Sequence, residues 1–257
     1  MAAIIATFPA RSDNYGYLVH DEGTGRTAAI DAPEEAAIVK ALEENGWALT
    51  DIFITHHHGD HTEAILPLKA RYGATVTGPE AEQTRIEGLD LTVKAGDSVV
   101  LGDTVFHIYA TPGHTLGHIV YHDPRGKALF CGDALFSLGC GKMIEGEPVS
   151  MWDGLKALRG LDPETKVYFG HEYTLANARF ALSIDPDNTA LQTRAAEAEA
   201  LRARERPTSP TRLGDEAIAN PFLRADDEGL AAAMGLSGRP AHEVFAAIRR
   251  AKDGFRG

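Results

Sequence analysis

The feature that most constrains this chain is a run of histidines and an aspartate directly after a short apolar segment. The run Thr-His-His-His-Gly-Asp-His occupies Thr55–His61 and follows residues 51–54, whose apolar character is typical of a buried strand. Residues two apart in an extended chain point the same way, so His56 and His58 can bind one ion while His57 points elsewhere. Burying this many imidazole and carboxylate groups without partners is costly. The run therefore predicts a metal site.

The second half of the run predicts a second ion. Gly59 permits a sharp turn, after which Asp60 and His61 can face another metal. Imidazole and carboxylate ligands suit zinc, iron or manganese, and the ligands alone do not choose among these metals. Four ligands cannot fill two sites, so further ligands are expected downstream. Three candidates each follow a strand-like run and a glycine: His114, Asp133 and His171. Asp133 follows Gly132 as the others follow Gly113 and Gly170.

Length, charge and cysteine content narrow the class of protein. A chain of 257 residues can form one large domain plus a small second one. The formal net charge of -12 argues against a nucleic acid partner. Two cysteines, Cys131 and Cys140, make a disulfide framework improbable and fit a reducing compartment. The absence of a secretory pattern and of a membrane-length apolar run leads us to expect a cytoplasmic protein with no membrane partner.

The order of strand-like and helix-like segments predicts two domains. Apolar runs rich in β-branched or aromatic residues predict strands at 17–19, 27–30, 51–55, 75–77, 99–101, 105–109, 119–122, 128–130 and 166–169. Helices are predicted at 34–45, 63–72, 152–159, 188–204 and 241–251. Residues 205–216, with Pro207 and Pro210, predict a loop. We therefore expect a mixed α/β catalytic domain at 1–172 and a helical, substrate-binding domain at 173–257.

The order of these motifs resembles the metallo-β-lactamase superfamily. The matching elements are Thr-His-x-His-x-Asp-His, then Thr-Pro-Gly-His at 111–114, then Gly-Asp at 132–133, then Gly-His at 170–171. That resemblance implies an αββα sandwich, followed here by a small C-terminal helical domain, in the α+β class. Finer features look like the glyoxalase II (hydroxyacylglutathione hydrolase) family. They lie at 13–15, 135–136, 139–142, 170–174, 220–224 and 249–253.

The resemblance implies a ligand set and a reaction. His56, His58 and His114 would hold one divalent ion, Asp60, His61 and His171 the other, and Asp133 would bridge both. Zinc is expected, with iron or manganese open. The implied reaction is hydrolysis of S-(2-hydroxyacyl)glutathione, S-D-lactoylglutathione in particular, to glutathione and D-lactate, the second step of methylglyoxal detoxification. Asp60 and Asp133 are the expected catalytic residues and would orient the attacking hydroxide.

The glutathione moiety is expected at four positions that match the family. They are Lys142, Tyr173, Arg249 and Lys252. On a helix, Arg249 and Lys252 share one face, and two cations there can bind a carboxylate. One departure concerns Met143–Ile144, where relatives often carry an aromatic–Tyr pair, so one hydroxyl is missing.

Two other functions compete with this interpretation. One is glutathione persulfide dioxygenation at a single iron on a related scaffold, whose members generally lack the basic C-terminal helix. The other is a non-catalytic metal-binding or glutathione-sensing module, against which the complete seven-residue ligand set argues. A monomer is expected, with a dimer open.

Overall fold

The computed structural model describes residues 2–257, so Met1, where the predicted first domain begins, lies outside the described residues. The chain divides into two compact units. The first extends to Ala110 and includes Gly117–Gly132, and the second comprises Thr111–Leu116 and Asp133–Gly257. This division reflects spatial contacts, and the boundary after residue 172 stays a prediction.

The first unit contains a six-stranded mixed sheet. In spatial order its strands are β1 (Ile4–Ala10), β2 (Asn14–Asp21), β3 (Arg26–Ile30), β4 (Asp51–Phe53), β5 (Thr75–Pro79) and β6 (Leu91–Val93). The first three strands are antiparallel, and β3 to β6 pair in parallel. The parallel strands place their carboxyl ends at one edge of the sheet, with β4 between β3 and β5.

Two helices cover this sheet, and a second group of strands packs on its other face. The helices are α1 (Glu35–Asn45) and α3 (Ile65–Tyr72), with the single turn α2 (Gly59–Thr62) before α3. Ile38 and Leu42 of α1 join Ile52 and Val76 of the sheet in one buried apolar cluster. The left-handed residue Gly46 (φ 69°) ends α1, because glycine adopts that conformation without a Cβ clash.

The second group of strands in this unit is an antiparallel meander. It consists of β7 (Ser98–Leu101), β8 (Thr104–Ala110), β9 (Ile119–Asp123) and β10 (Ala128–Gly132). Aromatic rings fill the space between the two sheets. The ring centroid of Phe53 lies 5.7 Å from that of Phe106 and 5.4 Å from that of Tyr121. The Tyr121 hydroxyl donates to the Ile54 carbonyl at 2.8 Å. That bond satisfies a fully buried polar group and fixes the chain just before the histidine run.

The second unit is mainly helical. Its helices are α4 (Pro148–Arg159), α5 (Thr174–Ile184), α6 (Thr189–Arg202), α7 (Leu213–Ala219), α8 (Glu228–Ala233) and α9 (Ala241–Gly254). Its short strands are β11 (Leu135–Phe136), β12 (Gly139–Cys140), β13 (Lys166–Phe169) and β14 (Thr211–Arg212), and they form two antiparallel pairs, β11 with β12 and β13 with β14. Phe222 lies between Phe180 and Phe245, with ring centroids 6.0 Å apart on each side.

Most predicted elements overlap observed ones. Every run predicted as a strand or a helix overlaps an observed strand or helix. An example is the run 241–251 in α9, where Val244 and Phe245 are fully buried. The predicted loop at 205–216 is wrong beyond residue 210, where β14 and α7 form. The apolar side chain of Leu213 and the buried network around Glu216 favour helix there in spite of Gly214. Helices α5 and α8 were not predicted.

Candidate metal centre

The histidine run lies where β4 ends. Residues 56–58 lead from β4 to the single turn α2, which carries Asp60 and His61, and His58 has an extended backbone (φ -61°, ψ 145°). His56 Nε2 and His58 Nδ1 are 3.1 Å apart, so two ring nitrogens point at nearly one position. The other ring nitrogen of His56, Nδ1, contacts the Thr55 hydroxyl at 3.0 Å. Because Nδ1 has its own partner, Nε2 is the nitrogen that a metal could use.

A buried carboxylate orients His61. Asp31 Oδ2 lies 2.8 Å from His61 Nδ1, which leaves His61 Nε2 directed away from Asp31. The Thr55 amide donates to Asp31 Oδ1 at 2.7 Å. Asp31 follows β3 and has a left-handed φ of 59°, a conformation that aspartate tolerates better than most residues. Asp31 therefore holds the run from the neighbouring parallel strand.

Asp60 is the more exposed carboxylate of this group. The buried Asn14 side chain donates to the Asp60 carbonyl at 3.2 Å and to Oδ2 at 3.3 Å. Asp60 Oδ2 also lies 3.6 Å from His61 Nε2. The carboxylate is thus fixed beside the nitrogen that His61 leaves available, which gives a divalent cation an oxygen and a nitrogen ligand side by side.

Three more donors belong to the second unit and meet at Asp133. Asp133 Oδ2 lies 3.3 Å from His114 Nε2, and Asp133 Oδ1 lies 3.4 Å from His171 Nε2. Each carboxylate oxygen therefore faces a different imidazole. His114 Nδ1 contacts the Lys142 carbonyl at 3.0 Å, which commits Nδ1 to the proton and leaves Nε2 for a metal. All three side chains are buried.

The backbone around these ligands requires small residues. Gly132, just before Asp133, has a φ of 46°, and a Cβ there would overlap the Thr55 hydroxyl. A Cβ at Gly141 would overlap the Asp133 carbonyl. Only glycine admits these close approaches.

Seven residues form the groups that could bind metal ions. The ligand atoms of each group lie within 4.8 Å of one another, and the groups are His56, His58 and His114; His56, His61 and Asp133; and Asp60, His61 and His171. The donor set of imidazole nitrogens and carboxylate oxygens fits a divalent cation of the zinc, iron or manganese type. The residues thus support divalent metal binding, and the same ligands serve all three metals.

His57 and His118 lie next to the candidate ligands but belong to none of the three groups. The His57 ring and amide both contact the Glu82 carboxylate, and the His57 side chain is 11% exposed. His118 is fully buried and stacks on His56 with ring centroids 4.8 Å apart. Asp31 and Glu82 are functional candidates that sequence reasoning missed. Both are acidic residues just beyond a strand, the same signal that identified Asp133.

The residues expected to bind substrate differ in exposure. Lys142 is exposed, and its own backbone carbonyl is the group that His114 contacts. Tyr173 is 39% exposed and stacks on His171, with ring centroids 4.9 Å apart and an interplanar angle of 3°. Tyr173 also contacts Phe136 edge-on at 5.5 Å. An exposed phenol on a ligand imidazole can contact a substrate.

Arg249 and Lys252 lie on one side of α9 but have different environments. Arg249 is 5% exposed, and its Nη1 donates to the Cys140 carbonyl at 2.9 Å while its Nη2 donates to Asp253 at 2.9 Å. Lys252 Nζ donates to the Ala176 carbonyl at 2.8 Å and lies 5.4 Å from the Phe180 ring centroid. Burial, together with the positive charge of Arg249, lowers the pKa of Lys252 to about 8.

Among the residues the structure describes, none of the helices has the length and apolar character needed to cross a membrane.

Two protein families match complementary parts of the chain. The metallo-beta-lactamase superfamily matches residues 17–171, and the family described as "Hydroxyacylglutathione hydrolase C-terminus" matches residues 172–255. Together they account for nearly all of the described chain. The chain thus has the metallo-β-lactamase fold followed by a C-terminal helical region.

Individual relatives agree with the family matches. A hydroxyacylglutathione hydrolase from Mesorhizobium japonicum is 51% identical and covers 99% of this chain and 100% of its own length. One from Rhizobium etli is 53% identical over 96% of this chain and 97% of its own. The crystal structure of ETHE1 from Myxococcus xanthus has a TM-score of 0.66 and 28% identity, covering 98% of this chain and all of its own. The chain belongs to the hydroxyacylglutathione hydrolase family of the metallo-β-lactamase superfamily.

Proposed function

We propose that this chain hydrolyses the thioester of S-(2-hydroxyacyl)glutathione, with S-D-lactoylglutathione as the representative substrate, to glutathione and a 2-hydroxy acid. Full-length similarity to hydroxyacylglutathione hydrolases, including the C-terminal region at 172–255, carries this proposal. With D-lactate as the product, the reaction is the second step of methylglyoxal detoxification. Glutathione persulfide dioxygenation is not favoured, because relatives about half identical over nearly the whole chain are named hydroxyacylglutathione hydrolases.

The proposed cofactor is a pair of divalent ions, with zinc expected and iron or manganese open. His56, His58 and His114 would hold one ion, Asp60, His61 and His171 would hold the other, and Asp133 would supply its carboxylate to both. When bound, such ions polarise a carbonyl and lower the pKa of a bound water toward neutrality. The buried donor groups of the chain supply the negative charge and the fixed nitrogens that binding requires.

The chain's own residues orient the reacting groups. Asp133, with one oxygen toward His114 and the other toward His171, keeps the donors in a fixed arrangement. Asp60, fixed by Asn14, accepts a hydrogen bond from the attacking water and so directs its lone pair toward the thioester carbonyl. A thiol pKa of about 8.5 lets the thiolate depart without a strong general acid. The chain therefore needs no dedicated proton donor for the leaving group.

Glutathione is proposed to bind through Lys142, Tyr173, Arg249 and Lys252. Lys142 and Lys252 present ammonium groups for the two carboxylates of glutathione, and Tyr173 presents a phenol beside His171. Arg249 is largely buried, so its part in binding is to fix Cys140 and Gly141, next to Lys142, while adding positive charge beside Lys252. Residues 1–172 then form the catalytic domain and 173–257 the substrate domain of a monomeric, cytoplasmic enzyme without nucleic acid or membrane partners.

Purified protein tests this proposal when thiol release from S-D-lactoylglutathione and metal content are measured on the same sample. We expect release well above the uncatalysed rate with about two metal ions per chain, loss of activity after chelation, and recovery when metal is returned. Absence of thiol release from fully loaded protein would refute the hydrolase assignment. Oxygen consumption with glutathione persulfide by the iron-loaded protein would instead support the dioxygenase.

A further inference from the structure

Glu82 is a buried glutamate that contacts the histidine run from the side opposite to Asp31. It ends the short 3-10 helix Glu80–Glu82, directly after β5, and only 1% of it is exposed. Its Oε2 accepts from the His57 amide at 2.6 Å and lies 2.9 Å from His57 Nδ1, while its Oε1 accepts from the Gly117 amide at 3.0 Å. One carboxylate thus joins two separate segments of the first unit.

The sheet topology explains why both carboxylates reach the run. Strand β4 carries the run and lies between β3 and β5, with all three parallel. Asp31 follows β3 and Glu82 follows β5, so each neighbouring strand delivers one acidic side chain to the same edge. Asp31 contacts Thr55 and His61, near the ends of the run, whereas Glu82 contacts His57, between His56 and His58.

The close approach of Gly117 to Glu82 indicates a fixed geometry. A Cβ added at Gly117 would overlap the Cγ of Glu82 and lie 3.0 Å from the Cβ of Ala81. Any other residue would have to push the glutamate away. Gly117 lies between His114 and His118 in the sequence, so the carboxylate restrains the backbone of a second histidine-bearing segment.

We propose that Glu82 is a positioning residue for the metal ion assigned to His56, His58 and His114. It acts through His57: holding the His57 amide and ring fixes the backbone between His56 and His58, so that His56 Nε2 and His58 Nδ1 converge at 3.1 Å. For the ion assigned to Asp60, His61 and His171, the corresponding carboxylate is Asp31, which contacts His61 directly and reaches His56 only through Thr55. This inference rests on the proposed two-metal function, but its test concerns metal affinity alone.

Glu82→Gln tests the proposal, with Glu80→Gln as a matched control in the same turn. Glu80 is exposed, and its carboxylate lies 3.7 Å from the Lys94 ammonium. Zinc affinity is measured for both ions by competition with a chromophoric chelator, alongside the melting temperature of the metal-free protein. Loss of a group that orients a ligand weakens metal binding by about 10–100-fold, and for Glu82→Gln we expect this loss for one ion only. Gly117→Ala should reproduce the selective loss.

Specific outcomes would overturn the proposal. If Glu82→Gln binds both zinc ions as tightly as its control Glu80→Gln and the wild type do, Glu82 does not position a ligand. If Glu82→Gln lowers the melting temperature and leaves zinc affinity unchanged, Glu82 is merely structural. If both ions are weakened equally, the assignment to one ion is wrong. A wild-type chain that binds two ions but releases no thiol would instead refute the proposed function and leave the affinity result intact.

Discussion

Asp31 Oδ2 and His61 Nδ1 lie 2.8 Å apart in the interior of the first unit. The pair decides which imidazole nitrogen of His61 carries the proton, because the carboxylate requires a donor at Nδ1. Asp31 also accepts from the Thr55 amide and hydroxyl, and Thr55 in turn contacts His56. A single carboxylate therefore fixes two of the seven candidate ligands.

Asp31→Asn should weaken metal binding while preserving the fold. Asparagine has the same shape and tolerates the left-handed backbone of position 31, but its amide supplies no negative charge to His61. We expect zinc affinity to fall by about 10–100-fold, measured by chelator competition. Asp103→Asn is the control, because Asp103 is exposed in the turn between β7 and β8. Unchanged affinity in Asp31→Asn would contradict the role given to this pair.

The sequence indicates the candidate metal ligands because they are concentrated in short motifs. The run 56–61 contains four of them, and chain alternation alone separates His56 and His58 from His57. Asp31 and Glu82 could not be identified in the same way. A single acid after a strand is usually a turn residue, and their importance arises from the parallel pairing of β3, β4 and β5, which is a non-local property.

The burial of individual charged side chains also could not be predicted from the local sequence pattern. Helical spacing correctly places Arg249 and Lys252 on one side of α9, yet it does not reveal that Arg249 packs over Phe222, 5.0 Å from the ring centroid. In the same way, Gly214 and two prolines indicated a loop where α7 forms. The helix exists because Glu216 reaches an internal network whose partners lie about eighty residues away in sequence.

Glu216→Ala should destabilise the protein strongly. The fully buried Glu216 carboxylate accepts from the Ser137 hydroxyl at 2.7 Å, the Leu138 amide at 2.7 Å and the Thr211 hydroxyl at 2.9 Å. Removing it leaves buried donors without an acceptor, which costs about 3–5 kcal/mol of unfolding free energy. Urea denaturation measures this loss. Asp215→Ala, at the exposed neighbouring position, should change stability by about 0.5 kcal/mol or less, and equal midpoints for the two variants would refute the prediction.

Substrate capture should weaken as pH rises through about 8. Burial and the nearby Arg249 lower the pKa of Lys252 to about 8, so its ammonium is charged below that pH and neutral above it. If the ammonium binds a glutathione carboxylate, kcat/KM falls on the alkaline side, because kcat/KM reports the free enzyme. A hydrogen bond between charged groups contributes about 1.5–3 kcal/mol, which corresponds to a decrease of about tenfold or more in kcat/KM.

Two variants of Lys252 test this assignment. Lys252→Arg keeps its charge and should lose this alkaline decrease, whereas Lys252→Met should have a low kcat/KM on both sides of pH 8. Rates are corrected for uncatalysed hydrolysis, and an alkaline decrease that survives in Lys252→Arg would assign the titration to another group.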